Sequence, residues 1–311
     1  MMQKIAFVFP GQGSQHIGMG RDLWTRYQLA QDHFREAEKV LGVDIAQICF
    51  TGPEEALKMT TNTQPALLLC SVIAFRLLEE QGIKPDFVAG HSLGEYSALV
   101  AGGSLQFADA LYLVRKRGEF MQEAVPPGRG AMAAILGMEK EEVAKICGEA
   151  QDGQVVEIAN LNSPGQIVIS GETEAVDRAI KAVKEKGAKR AILLPVSAPF
   201  HCRLMRPAGE KLGEILATVP VRNLRIPLVA NVDAQLTTSS DSIRPALVRQ
   251  VSAPVLWEDC IRALQGVGVG TFVEVGPGTV LSGLIKRIAR EAILLHVEDE
   301  GSLASTIEAL R

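Results

Sequence analysis

The sequence predicts an α/β protein in which a large domain with a mainly parallel sheet carries a small inserted α+β domain. Three observations lead there. Short apolar strands alternate with helical stretches in the first 125 and last 110 or so residues, the order that builds a parallel sheet. Between about residues 126 and 198 the rhythm changes to β-α-β-β-α-β, the pattern of a ferredoxin-like module. Pro126-Pro127-Gly128 marks the entry to that stretch, and Pro195 and Pro199 mark its exit. The large domain is therefore expected at 1–126 and 199–311, and the small one at 127–198.

The chain opens with an apolar strand at 5–9 that runs into the turn Pro10-Gly11-Gln12-Gly13, and a long helix is expected to follow to about Leu41. A second helix falls at 63–81, and a strand at 87–90 ends in Gly90-His91-Ser92-Leu93-Gly94 before a helix-forming run at 95–101. Another helix reads from Leu105 to about Ala124, with Ser104 placed to cap it. In the insertion, strands fall at 131–137, 155–161, 166–171 and 190–196, helices at 139–150 and 173–186, and Asn162-Ser163-Pro164-Gly165 forms a turn. Strands return near 226–231 and 271–275, the latter meeting a Gly276-Pro277-Gly278 turn.

Composition narrows the function. The 311 residues are 47% hydrophobic and 22% charged, the balance of a globular protein that can bury a large core without a disulfide or metal staple. A net charge of −4 gives no electrostatic basis for binding nucleic acid. Cysteines at 49, 70, 147, 202 and 260 form no Cys-x-x-Cys pair and no zinc site, so they read as reduced thiols of a cytoplasmic protein. The longest apolar run, 65–75, is well short of the roughly 18 residues of a membrane span, and the N-terminus lacks the pattern of a signal peptide. A cytoplasmic enzyme or binding protein with no membrane contact is expected.

The segment Gly90-His91-Ser92-Leu93-Gly94 fits Gly-x-Ser-x-Gly, with the strand before it and the helix after it that a nucleophile elbow requires. Side chains at the two glycine positions would clash with the neighbouring strand and helix, and a serine at a helix start faces backbone N–H groups able to hold an oxyanion. Such a serine needs a base. Of five histidines, His91 adjoins Ser92 and points elsewhere, His33 falls in a charged helical stretch and reads as surface, and His16 and His296 fit structural roles. His201 differs, because Ser197-Ala198-Pro199-Phe200-His201 stands at the domain junction, where clefts form; base and satisfied histidine are both open to it.

On a wheel of 100° per residue, Phe107, Ala110, Leu113, Val114, Met121 and Ala124 share one face, and Arg117 falls in its middle while Arg115, Lys116, Glu119 and Glu123 take the other side. A buried guanidinium needs an anion, so Arg117 meets either a buried carboxylate of the chain or a substrate carboxylate. The loop Gly11-Gln12-Gly13-Ser14-Gln15 is not a dinucleotide fingerprint, since His16 stands where the third glycine belongs. It is either a tight turn or, with Gln12 and Leu93, a source of backbone N–H donors for an oxyanion.

Taken together, Pro-Gly-Gln-Gly-Ser-Gln at 10–15, Gly-His-Ser-Leu-Gly-Glu-Tyr at 90–96, Arg117 within Val-Arg-Lys-Arg-Gly, Asn-Ser-Pro-Gly-Gln at 162–166, Ala-Pro-Phe-His at 198–201 and Gly-Pro-Gly at 276–278 resemble the malonyl-CoA:acyl carrier protein transacylases. These are the acyltransferases of bacterial-type fatty acid synthesis, and the resemblance runs over essentially the whole chain. It implies an α/β-hydrolase-like large domain, Ser92 as nucleophile, His201 as base oriented by the main-chain carbonyl of Gln250, Gln12 and Leu93 as oxyanion donors, and Arg117 as the clamp on the malonyl carboxylate. It also implies a substrate pocket that includes Met121, Asn162 and Phe200, with no cofactor, the partners being malonyl-CoA and holo acyl carrier protein. Pro199 departs from the glycine or alanine of the malonyl-type motif. Lys286, Arg287 and Arg290, read as one helix, offer a basic patch for an acidic carrier protein; a solvated helix face is the alternative. The competing readings are a polyketide-synthase acyltransferase and an α/β-hydrolase thioesterase, which shares the elbow but leaves the buried arginine unexplained.

Overall fold

Residues 3–196 and 198–311 are described by the computed structural model, and their strands assemble two sheets. In chain order the strands are β1 Lys4–Phe9, β2 Phe87–Gly90, β3 Gly130–Leu136, β4 Val156–Ser163, β5 Gln166–Glu172, β6 Arg190–Leu193, β7 Leu228–Val229, β8 Leu236–Thr237, β9 Val269–Val275 and β10 Ile293–Val297. The larger sheet runs β10-β9-β1-β2-β7-β8 and is parallel throughout except for β8, which pairs antiparallel with β7. The second, antiparallel sheet runs β4-β5-β3-β6. The protein is thus an α/β fold with a mixed, mostly parallel main sheet.

Burial explains why the strands of the main sheet read as continuous apolar runs. Alternate residues face opposite sides: Phe7 and Phe9 enter one buried cluster with the helix Thr60–Glu80, while Ala6 and Val8 enter another with Trp257 and Phe272. Both faces are covered, as a parallel sheet requires. The second sheet keeps a separate core, where Ile135 and Ile169 meet Val143, Ile146 and Val176 from the helices Lys140–Ala150 and Thr173–Glu185. The two bodies are stitched together where Leu161 donates to Val255 O and Val255 donates to Ala159 O, each at 2.9 Å.

Several expected boundaries move. The long helix to Leu41 does not form as one: Arg21–Arg26 and Gln28–Leu41 are separate helices, broken at Tyr27, whose extended backbone aims its hydroxyl to donate to Glu300 at 2.5 Å. Two short helices, Ile45–Phe50 and Glu54–Lys58, come next, and the helix expected at 63–81 begins three residues early, at Thr60, where Asn62 and Thr63 turn their side chains back to donate to Ala56 O and Leu57 O. Ser104 does not cap Phe107–Glu123; Gln106 holds the cap position, and the Ser104 hydroxyl donates instead to Arg222 O at 2.7 Å. Strand β4 extends to Ser163, so the expected turn at 162–165 shrinks, and β6 ends at Leu193. Arg290 is not on the helix with Lys286 and Arg287, which ends at Ile288.

Candidate active site

Adjacent parallel strands bring the two glycine loops together. The β1–β2 register pairs Phe9 with Gly90, so the loop from Gly11 and the elbow at Ser92 leave the same edge of the sheet side by side. Ligand sites in open α/β sheets collect at this carboxyl edge. A Cβ on Gly90 would lie 1.9 Å from the Gly94 carbonyl carbon, and one on Gly94 would lie 2.0 Å from Phe9 O, so neither position admits a side chain. Ser92 itself sits at φ 51°, a left-handed conformation that costs a non-glycine residue energy and that surrounding bonds must enforce. Its N–H donates to Asn231 Oδ1 at 2.7 Å, and the helix Gly94–Ala101 starts directly after the turn.

The structure joins Ser92 to His201 across the fold. Ser92 Oγ and His201 Nε2 are 2.8 Å apart, and His201 Nδ1 lies 2.8 Å from Gln250 O. A carbonyl only accepts, so Nδ1 carries the proton and Nε2 is the free acceptor for the serine hydroxyl. His201 is also left-handed, at φ 60°, and only 4% exposed. Burial first, and then the nearby Arg117 cation, push its pKa down to about 3, so the ring is neutral, with Nε2 unprotonated, at physiological pH. Among the described residues no carboxylate is bonded to it. Of the junction segment that carries it, Ser197 lies outside the described residues, while Ala198, Phe200 and His201 are buried.

Arg117 is 2% exposed on the helix Phe107–Glu123, which packs against Thr60–Glu80. Among the described residues it has no ion-pair partner: Nη1 donates to Gln64 Oε1, and Nη2 donates to Ser92 Oγ and Gln250 Oε1, each at 3.0 Å. The Tyr96 ring lies 5.6 Å beneath the guanidinium. Of the two possibilities the wheel left open, a resident carboxylate in contact is absent. Gln12 and Leu93 line the same cleft, and their N–H groups donate to no acceptor of the described chain. The cleft has a cavity volume of about 190 Å³, and Met121, Asn162 and Phe200 are all in its wall.

Of the other histidines, His91 and His33 are packed into the fold, whereas His16 is exposed. His91 Nε2 donates to Asn162 Oδ1 at 2.8 Å and its ring meets Trp257 edge-on, tying the elbow to β4. His33 is not a free surface residue; it is half-buried against the Phe107 ring because the two helices carrying them pack together. Lys286, Arg287 and Arg290 are exposed, and Arg287 donates to Gln166 Oε1 at 3.0 Å, bridging to the cleft wall. Sequence reasoning missed Gln64, Glu95, Asn231 and the side chain of Gln250. Glu95 carried a signal: it is a lone charge in Gly94–Ala101, a helix in which every residue is buried. Burial pushes its pKa up to about 7.

An elbow serine paired with an imidazole, beside free backbone donors and a buried cation, defines an acyl-transfer site. The chain belongs to the family described as the acyl transferase domain, which matches residues 6–307. It is 49% identical to the malonyl CoA-acyl carrier protein transacylase of Bacillus subtilis (strain 168), over 100% of this chain and 98% of that protein. The protein of the same name from Escherichia coli (strain K12) is 50% identical over 99% of this chain and 100% of its own length. Among solved structures, the malonyl CoA-acyl carrier protein transacylase of Coxiella burnetii superposes with a TM-score of 0.97 at 45% identity, covering 100% of this chain and 98% of that one. A malonyl-transacylase solved in complex with a type II PKS acyl-carrier protein matches with a TM-score of 0.96 at 48% identity, over 98% and 99% of the two chains.

Proposed function

We propose that this chain transfers the malonyl group of malonyl-CoA to the phosphopantetheine thiol of holo acyl carrier protein, through a malonyl ester on Ser92, to supply fatty acid synthesis. The observation that carries the malonyl reading is Arg117, a buried cation 3.0 Å from the nucleophile whose acceptors are all neutral. In the first half-reaction the Ser92 hydroxyl gives its proton to His201 Nε2 as Oγ attacks the thioester carbonyl. Gln12 and Leu93 N–H groups hold the oxyanion. Collapse breaks the C–S bond, and His201 returns the proton to the departing CoA thiolate. In the second half-reaction His201 takes the proton of the incoming thiol, its sulfur attacks the ester, and Ser92 leaves reprotonated, giving ping-pong kinetics. Every proton is accounted for by the serine, the imidazole and the two thiols, so the reading invokes no cofactor.

Within this reading the large body is α/β-hydrolase-like and residues 127–198 are a ferredoxin-like insertion, supported by the strand order β4-β5-β3-β6 and by the separate core. Holo acyl carrier protein docks through the exposed Lys286, Arg287 and Arg290 beside the cleft mouth. A cytoplasmic location is supported by five free, buried thiols, and no helix among the described residues is long and apolar enough to cross a membrane. The deciding experiment is intact-mass measurement after incubation with malonyl-CoA, acetyl-CoA and methylmalonyl-CoA in turn. A malonyl adduct that forms and is discharged by holo acyl carrier protein is expected; rapid hydrolysis of malonyl-CoA without carrier protein would turn the assignment to a thioesterase.

A further inference from the structure

Among the described residues Arg117 has no carboxylate in contact, yet one stands a single side chain away. Glu95, 1% exposed, accepts from the Asn231 main-chain N–H at 2.9 Å and from Gln250 Nε2 at 3.0 Å. The Gln250 amide lies between the two charges, its Oε1 accepting from Arg117 Nη2. Its Nε2 also donates to Ser92 O at 3.0 Å and to Asn231 Oδ1 at 3.3 Å. The direction of this amide is fixed from both ends. Turned end for end, it would set its NH₂ against a guanidinium and its oxygen against three acceptors, one of them a carboxylate. Asn231 is fixed likewise, since its Nδ2 donates to Gly90 O at 2.7 Å and leaves Oδ1 to accept from Ser92 N–H.

A guanidinium and a carboxylate in direct contact inside an apolar body make a strong resident pair, and a substrate carboxylate would have to displace it. Neutral acceptors are displaced more readily. The geometry points to a specificity role for the Gln250 side chain: it is a spacer that keeps Glu95 from pairing with Arg117 and so reserves the guanidinium for the carboxylate of the incoming acyl group. Glu95 is the positioning residue of this arrangement, because its carboxylate sets the direction of the spacer. The role is separate from that of the Gln250 main-chain carbonyl, which meets His201 whatever the side chain is. The inference rests on the malonyl reading above.

The test is steady-state transfer of malonyl and acetyl groups from their CoA thioesters to a holo acyl carrier protein at about pH 8, where Glu95 is ionised, with kcat and KM resolved. Gln250→Ala is expected to raise KM for malonyl-CoA by about tenfold or more beyond whatever change acetyl transfer shows. Adding Glu95→Gln to that variant removes the competing charge and is expected to bring malonyl KM back to within about threefold of the parent. Equal losses on both acyl groups, or no recovery in the double variant, would overturn the spacer role. Should the alanine variant fail to fold, Gln250→Asn, one methylene shorter and unable to span both partners, carries the same expectations. Arg117→Ala run alongside separates the two levels. If it harms both acyl groups equally the malonyl reading itself fails; if it is selective and Gln250→Ala is not, only the spacer fails.

Discussion

On one side of the cleft, the loops after β1 and β2 and the helix Phe107–Glu123 bring in Ser92, Arg117 and free N–H groups, with His201 held above them. On the other side, β3, β4 and β5 bring in Met132, Asn160, Asn162 and Val168, none of which titrates. The first wall holds its groups in a buried network where each acceptor has a fixed donor. The second offers apolar surface and three amides, Asn160, Asn162 and Gln166, of which Asn162 is bonded to His91 and Gln166 to Arg287. The difference separates two tasks. The reacting groups gather on the main-sheet side, where burial strengthens each polar contact, and the antiparallel sheet supplies part of the non-titrating lining of the cleft.

The largest effect that tests this division is at the nucleophile. Ser92→Ala is expected to lower transfer by at least about 10⁴-fold and to abolish the acyl adduct seen by intact mass; a labelled malonyl group surviving on another residue would refute the assignment. Next comes Arg117→Ala, expected to cost malonyl transfer about 100-fold, the loss of one bidentate charge-assisted contact, and acetyl transfer less than about threefold. Then comes the pH response. His201 is lowered from its ordinary value of 6.5 to about 3, so the neutral base persists on acidification. In a Glu95→Gln background, which removes the carboxyl that titrates near 7, the single-turnover acylation rate should be flat from about pH 8 to pH 5, and an inflection near the ordinary histidine pKa would contradict the depressed value. The smallest effect on chemistry is expected across the cleft. Val168→Ala, at a position 6% exposed, should lower stability by about 1–2 kcal/mol in denaturant unfolding yet change the acylation rate less than about threefold. A large rate loss there would break the division between the walls.

Much of the main-sheet side could be read in advance. Gly90, Ser92 and Gly94 follow from local sterics, and the position of Arg117 on an apolar face follows from helical periodicity. The β-α-β-β-α-β order that builds the antiparallel sheet was legible from the change of rhythm. Legibility failed where partners are far apart in the chain. The helix expected up to Leu41 breaks because Tyr27 finds Glu300. Ser104 leaves its capping role because Arg222 O comes within reach. Gln64 and Asn231 look like ordinary polar residues until the fold brings them to Arg117 and Ser92.

The sequence by itself determined the alternation of elements, the elbow with its two glycines and the burial of one arginine, because each rests on contacts within a turn or along one helix. Only the tertiary structure decided that Ser92 Oγ meets His201, 109 positions away, that Gln250 stands between Glu95 and Arg117, and that no carboxylate among the described residues contacts Arg117. Hydrogen bonds act over about 3 Å whatever the separation along the chain, and it is the packing of the sheets and helices that brings these groups within that reach.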